Sequence, residues 1–169
     1  MTPELRPLAD ADEAFVVALY RDRDAMAPLA PLDAGAADRL FARARDGGGD
    51  FHVVLVDGVP AGVAGLVPRP GGWLEAGLVL VRGAQSRGVG RQVFASLISR
   101  ALADAACSGC RVRHAAGHAA MAALARRLGL HREDDGDGAC WTARRGHWQA
   151  PVAAGILPAG AAPSPRAED

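Results

Sequence analysis

Residues Gln85-Ser86-Arg87-Gly88-Val89-Gly90-Arg91 stand between the end of a β-rich run and the start of a helical one. This junction limits the fold more than any other stretch, because a strand must deliver the chain through glycines into the first turn of a helix. Backbone N–H groups at a helix start point outward, the helix dipole adds partial positive charge, and glycines let a phosphate approach without a Cβ in the way. Arg87 and Arg91 flank the glycines and would give a diphosphate its counter-charge. The stretch is not a nucleotide P-loop, since no Gly-Lys-Ser/Thr follows. Nor is it a dinucleotide fingerprint, since no third glycine completes Gly88-x-Gly90. Spacing alone leaves two readings open: an anion site, or a tight turn with ordinary surface arginines.

Upstream, Leu5-Arg6-Pro7-Leu8 reads as a short edge strand, and Asp10 or Asp12 is placed to cap a helix carrying Phe15, Val16, Leu19 and Tyr20 at helical spacing. A second helix is expected from Asp33 to about Ala44. Gly47-Gly48-Gly49 breaks the chain before residues 51–56, which meet residues 59–67 across Asp57-Gly58, a hairpin signal. A turn at 68–72 leads to the third strand of a meander, 73–81. Downstream, Val89, Val93, Leu97 and Leu102 share one side of a helix ending near Ser108-Gly109. Residues 110–114 read as a buried strand. Another helix turns Met121, Leu124 and Leu128 inward and stops at Gly129. Two short strands are expected in 130–145 around Asp134-Asp135-Gly136-Asp137-Gly138.

The length of 169 residues suits one domain, placed at 1–145, with the Ala/Pro/Gly-rich remainder, 146–169, expected as a mobile tail. Half of the residues are hydrophobic, enough for a core without disulfides or metal. Nineteen acidic side chains balance nineteen basic ones, and no strongly basic run gives a footprint for nucleic acid or an anionic membrane. The chain contains no lysine, which removes Schiff-base chemistry. Its opening lacks a signal-peptide layout, and no apolar run is long enough to span a membrane. Three cysteines, an odd number, fit thiols in a reducing compartment. A cytoplasmic location is expected.

Gln85, Gly88 and Gly90 match the pyrophosphate motif Gln/Arg-x-x-Gly-x-Gly/Ala, and residues 118–130 are similar to a helix that usually begins with Asn and ends Leu-Gly-Phe. On these residues the chain resembles the GNAT superfamily of N-acetyltransferases. Met121, Arg126-Arg127 and Leu128-Gly129 look especially like the acetyltransferase domain of bacterial protein-lysine acetyltransferases. The order of elements fits over residues 4–145, and the sequence match lies within 73–130. The resemblance implies an α/β (α+β) fold with a mixed, mostly antiparallel twisted sheet of six to seven strands, flanked by about four helices. It implies acetyl-CoA as co-substrate and no metal. The strand holding Leu78, Val79 and Leu80 would splay from its neighbour and pair with the pantetheine arm, with an N–H near Leu80 facing the developing oxyanion. Gln85, Ser86, Arg87, Gly88, Val89, Gly90, Arg91 and His118 would hold the rest of the cofactor. Two departures stand out: His118 replaces the Asn, and Ala125 occupies the place where many members carry a catalytic Tyr.

Strand alternation puts Glu75, Gly77 and Val79 on one face and Leu74, Ala76 and Leu78 on the other. On a cleft floor, partial burial would raise the pKa of Glu75 toward that of a useful base. The plainer reading is an exposed strand carboxylate. The resemblance makes it the catalytic base, which amine acetylation needs because an ammonium has no free lone pair. It thereby implies acetyl transfer to a primary amine, a protein lysine or a small molecule, by direct attack in a ternary complex. The rival is a non-catalytic acyl-CoA-binding regulatory module, favoured by the missing Tyr and Asn. Asp22, Asp24, Asp33, Glu133 and Asp134 would attract a cationic acceptor if they line the cleft. Oligomeric state stays open, a homodimer included. Cys107-x-x-Cys110 with His114 and His118 matches no standard zinc spacing, and residues 134–138 lack the Glu and the alternation of a calcium loop.

Overall fold

A computed structural model describes residues 2–27, 32–33, 35–134 and 139–149. Its elements follow in the order β1 (Pro3–Pro7), α1 (Glu13–Arg21), α2 (Arg23–Met26), α3 (Ala36–Arg45), β2 (Asp50–Val56), β3 (Val59–Arg69), β4 (Trp73–Leu80), α4 (Val89–Ala103), β5 (Gly109–His114), α5 (Ala119–Arg127), β6 (His131–Asp134) and β7 (Ala139–Ala143). The strands build one seven-stranded sheet in the order β1-β2-β3-β4-β5-β7-β6. Every neighbouring pair is antiparallel except β4 and β5, which run parallel. This is the mostly antiparallel α/β arrangement expected, with one helix more than the four anticipated. The extra helix, α2, spans four residues and shows no apolar period; Asp22 caps it, its carboxylate accepting the N–H groups of Asp24 and Ala25.

The β2–β3 hairpin turns at Asp57 and Gly58, whose φ of 52° and 77° give the two positive angles that a right-twisted two-residue turn requires. Two apolar layers pack against the sheet. Leu66, Leu74, Val93, Leu97, Ile98 and Val112 fill the layer under α4 and α5. Val16, Leu19, Phe41 and Val63 fill the one under α1 and α3. Asp12 does not cap α1 as expected; its carboxylate takes Arg6 at 2.7 Å and the Ala9 N–H at 2.9 Å, tying β1 to the helix start. The helix α4 stops at Ala103, before the expected 108–109, because Asp104 turns the chain and accepts the Ala106 N–H. The strand β5 is not buried on both faces: Cys110 and Val112 point into the core, whereas Arg111 is half-buried and Arg113 exposed.

Beyond β7, Trp148 packs on α4 and its Nε1 donates to Ser99 Oγ at 3.0 Å. The rest of the expected tail, from 150 on, and the expected turn at 135–138 lie outside the described residues. Among the described residues, no helix is long and apolar enough to cross a membrane.

Candidate functional site

The parallel strands β4 and β5 pair over three rungs only, Trp73 with Gly109, Leu74 with Cys110 and Glu75 with Arg111. Beyond Glu75, β4 stays with β3 as far as Leu80 while β5 stays with β7, so a gap opens between them. The Val81 N–H bonds the Ala61 carbonyl at 2.9 Å on the β3 side. Alternation therefore turns the peptide groups of Leu80 and Leu78 toward the gap. The side chain of Leu80 is buried, that of Leu78 half-buried, and Val79 faces the opposite layer.

At the mouth of the gap lies the glycine turn. Gly88 is the N-cap of α4, has φ 82°, and no side chain caps the helix. A Cβ there would meet nothing within 4 Å, so conformation rather than room calls for glycine. Ser86, also at positive φ (59°), prepares the turn. The Val89 side chain is sealed in the core, leaving its backbone as the part that can meet a ligand. Gly90 lies where β4, α4 and α5 meet, and a Cβ on it would stand 3.6 Å from both Leu78 and Leu124. Arg87 and Arg91 are exposed beside the turn. The Gln85 side chain is engaged within the protein: its amide donates to Ala25 O at 3.1 Å and Leu80 O at 3.0 Å, and its oxygen accepts from Arg82 at 3.2 Å. It fastens the turn to β4 and α2.

His118 caps α5, its Nδ1 accepting the Met121 N–H at 3.4 Å. The ring thus does the capping that an Asn would do. Burial, helped by neighbouring His114, holds its pKa below the usual imidazole range. His114 Nε2 accepts from the Trp141 indole at 3.0 Å and its Nδ1 lies 2.9 Å from Ala115 O. An indole N–H can only donate, so this imidazole carries its proton on Nδ1. With both nitrogens engaged, it does not join Cys107 and Cys110 as a metal ligand, and among the described residues no group of three ligating side chains forms. Ala125 is fully buried.

On the α1/α3 face, a cleft of about 160 Å³ runs along β4, its walls including Tyr20, Phe51, Val63, Gly77 and Val79. Glu75 lines one end. Burial pushes its pKa up, as the sequence suggested, but two guanidinium groups overturn that expectation. Arg69 donates from Nε at 3.1 Å and from Nη2 at 2.9 Å, and Arg111 from Nε at 2.9 Å. Together they hold the carboxyl below its ordinary range. Neither arginine was identified from sequence: Arg69 meets Glu75 across the β3–β4 connection and Arg111 across the parallel register, and no local pattern reports either. Among the acids expected to draw in a cation, Asp22 caps α2, Asp33 pairs with Arg39, and Glu133 accepts from Thr142. None of these three lines the cleft, nor does Asp24; the Asp134 side chain lies outside what is described.

A family model described as acetyltransferase (GNAT) domain matches residues 4–131. Among curated proteins, none matches the chain in sequence. Solved structures similar to it include spermidine N-acetyltransferase from Vibrio cholerae in complex with CoA and spermine, at 15% identity and a TM-score of 0.73, covering 86% of this chain and 97% of that one. A phosphinothricin acetyltransferase from Sinorhizobium meliloti in complex with AcCoA follows at 20% identity and 0.67, covering 85% and 89%. A ribosomal L7/L12 alpha-N-protein acetyltransferase in complex with coenzyme A stands at 16% and 0.69, covering 85% and 94%. At such identities the likeness is one of fold.

Proposed function

The chain belongs to the acetyltransferase (GNAT) family, and on that premise we propose that it transfers an acetyl group from acetyl-CoA to an amine, both substrates being bound together. The observation that carries this reading is the three-rung parting of β4 and β5, which opens onto the uncapped, glycine-led start of α4. The N–H groups around Gly88 to Arg91 would hold the diphosphate, with Arg87 and Arg91 as counter-charge. The freed peptide groups of Leu78 would hold the pantetheine arm, and the N–H of Leu80, whose carbonyl is taken by Gln85, would face the negative charge that develops on the acetyl oxygen. His118 would orient the α5 wall through its cap.

Acetyl-CoA supplies an activated thioester. Glu75 serves as proton acceptor, directly or through one water, for the nitrogen as it bonds to carbon. A carboxylate kept ionised by two arginines is a weak base toward a free ammonium, and accepts more readily from a nitrogen already made acidic by bond formation. A thiol pKa near about 8.5 makes the departing thiolate tolerable without an acid, which is compatible with Ala125 at the Tyr position. The acceptor class spans protein lysines and small-molecule amines. A closer kinship with protein-lysine acetyltransferases is supported by Met121, Arg126-Arg127 and Leu128-Gly129, and a cytoplasmic location by three buried free thiols.

Thiol release from acetyl-CoA across a panel of amines tests the reading, with amine-dependent release expected. Binding of acetyl-CoA without release for any amine would establish the rival, a non-catalytic acyl-CoA-binding module, which the engaged Glu75 and the buried Ala125 favour.

A further inference from the structure

We propose that the acceptor is a small molecule bearing a carboxylate as well as its amine, and that Arg69 and Arg111 recognise the carboxylate. This rests on the acetyltransferase reading above and narrows its substrate class. The cleft of about 160 Å³ is smaller than the roughly 300 Å³ at which drug-sized pockets begin, so it suits an occupant of amino-acid size. Its ionisable lining consists of Tyr20 and Glu75, and the Tyr20 hydroxyl is pushed toward its neutral form by burial. Arg69 and Arg111 do not themselves line the cleft; they hold the Glu75 carboxylate from beside it, and the three side chains together carry one excess positive charge at its rim.

The hydrogen-bond geometry points the same way. Arg69 gives Glu75 its Nε and Nη2, whereas Arg111 gives only its Nε. Among the described residues, Nη1 of Arg69 and both terminal nitrogens of Arg111 have no protein acceptor. Both side chains are less than a third exposed, at 30% and 28%, so these donors are partly withdrawn from water, which raises the gain from an anionic partner. Along β4, the step from Glu75 to Gly77, where the strands have parted, is two residues or about 6.6 Å. A carboxylate at the arginines and an amine at the gap therefore suit a molecule whose two groups lie a few bonds apart. A polycationic acceptor would meet one carboxylate already neutralised by two guanidinium groups, and none of Asp22, Asp24, Asp33 and Glu133 lines the cleft to add another.

The test uses the intact protein with acetyl-CoA and matched acceptors: free amino acids, their carboxamides, and the corresponding amines without the carboxyl group, with spermidine as a polycation. A preference in kcat/KM of about 10- to 100-fold for the carboxylate-bearing member of each set is expected. The carboxamide amine is the less basic, so the comparison is biased against the proposal. Arg111→Gln should abolish most of the preference by raising the acceptor KM, while acetyl-CoA affinity measured by calorimetry stays unchanged. Should that variant fail to fold, the matched comparison on the unaltered protein still decides. Equal or better turnover of the carboxamides, the bare amines or spermidine overturns the proposal while leaving the acetyltransferase reading intact. Failure of acetyl-CoA to bind at all overturns both.

Discussion

Glu75 shows how partners, rather than burial, set the properties of a single group. Its folded pKa lies below the unfolded value near about 4.3, so its contribution to stability is complete above that value and fades as pH falls through the folded one. Denaturant unfolding from pH 7 to pH 3 should show the unaltered protein more stable than Glu75→Gln by about 1–2 kcal/mol near neutrality, with the difference shrinking once pH drops below about 4.3. Turnover by Glu75→Gln should fall by roughly a hundredfold with little change in acetyl-CoA affinity; turnover like that of the unaltered protein would make Glu75 structural. Because Glu75 is already ionised at neutral pH, any rise of kcat/KM between pH 6 and 9 should track the acceptor amine, and move to lower pH with a less basic acceptor. The sequence placed Glu75 on the correct face, since alternation is local. It could not reveal Arg69 or Arg111, because the first depends on how β3 and β4 register and the second on a pairing thirty-six residues away.

At the level of elements, the start of α4 is held by backbone conformation and by Gln85 together. Gly88→Ala places a Cβ in open space but at a left-handed φ, so a folding cost of about 1–2 kcal/mol is expected from conformation alone. Gly88→Val should additionally weaken acetyl-CoA binding, because its branched side chain would obstruct the proposed diphosphate site; calorimetry on the folded variant checks this, and unchanged affinity would place the cofactor elsewhere. Gln85→Ala strips donors from Ala25 O and Leu80 O and should cost about 1–2 kcal/mol in denaturant unfolding. The glycine turn, the hairpin at Asp57-Gly58 and α5 were legible because each announces itself within a dozen residues. The four-residue α2 has no period to detect. The early end of α4 depends on an Asp104 turn that the apolar spacing does not report. The family pattern makes His118 a cofactor contact, whereas its capping of α5 depends on the ring turning back to the Met121 N–H, which no sequence pattern reports.

For the molecule as a whole, the sheet is two antiparallel halves, β1 to β4 and β5 to β6, joined edge to edge by three rungs and bridged by α4, which touches both β4 and β5. A ligand lying in the gap would complete the missing rungs. Saturation with acetyl-CoA at about a hundred times its Kd should add about 2.7 kcal/mol to unfolding stability, and amide exchange at Leu78 and Leu80 should slow on binding. Exchange at these two positions that ignores acetyl-CoA would argue against a ligand along β4. Trp73 forms the first of the three rungs, its ring lying 4.6 Å from the Arg144 guanidinium and occupying space that any side chain at position 109 would take. Indole emission responds to neighbouring charge and to hydration. A natural fluorophore therefore stands at the seam of the sheet, and a ligand entering the gap should change the chain's emission, with Trp73→Phe, which leaves Trp141 and Trp148, removing that change.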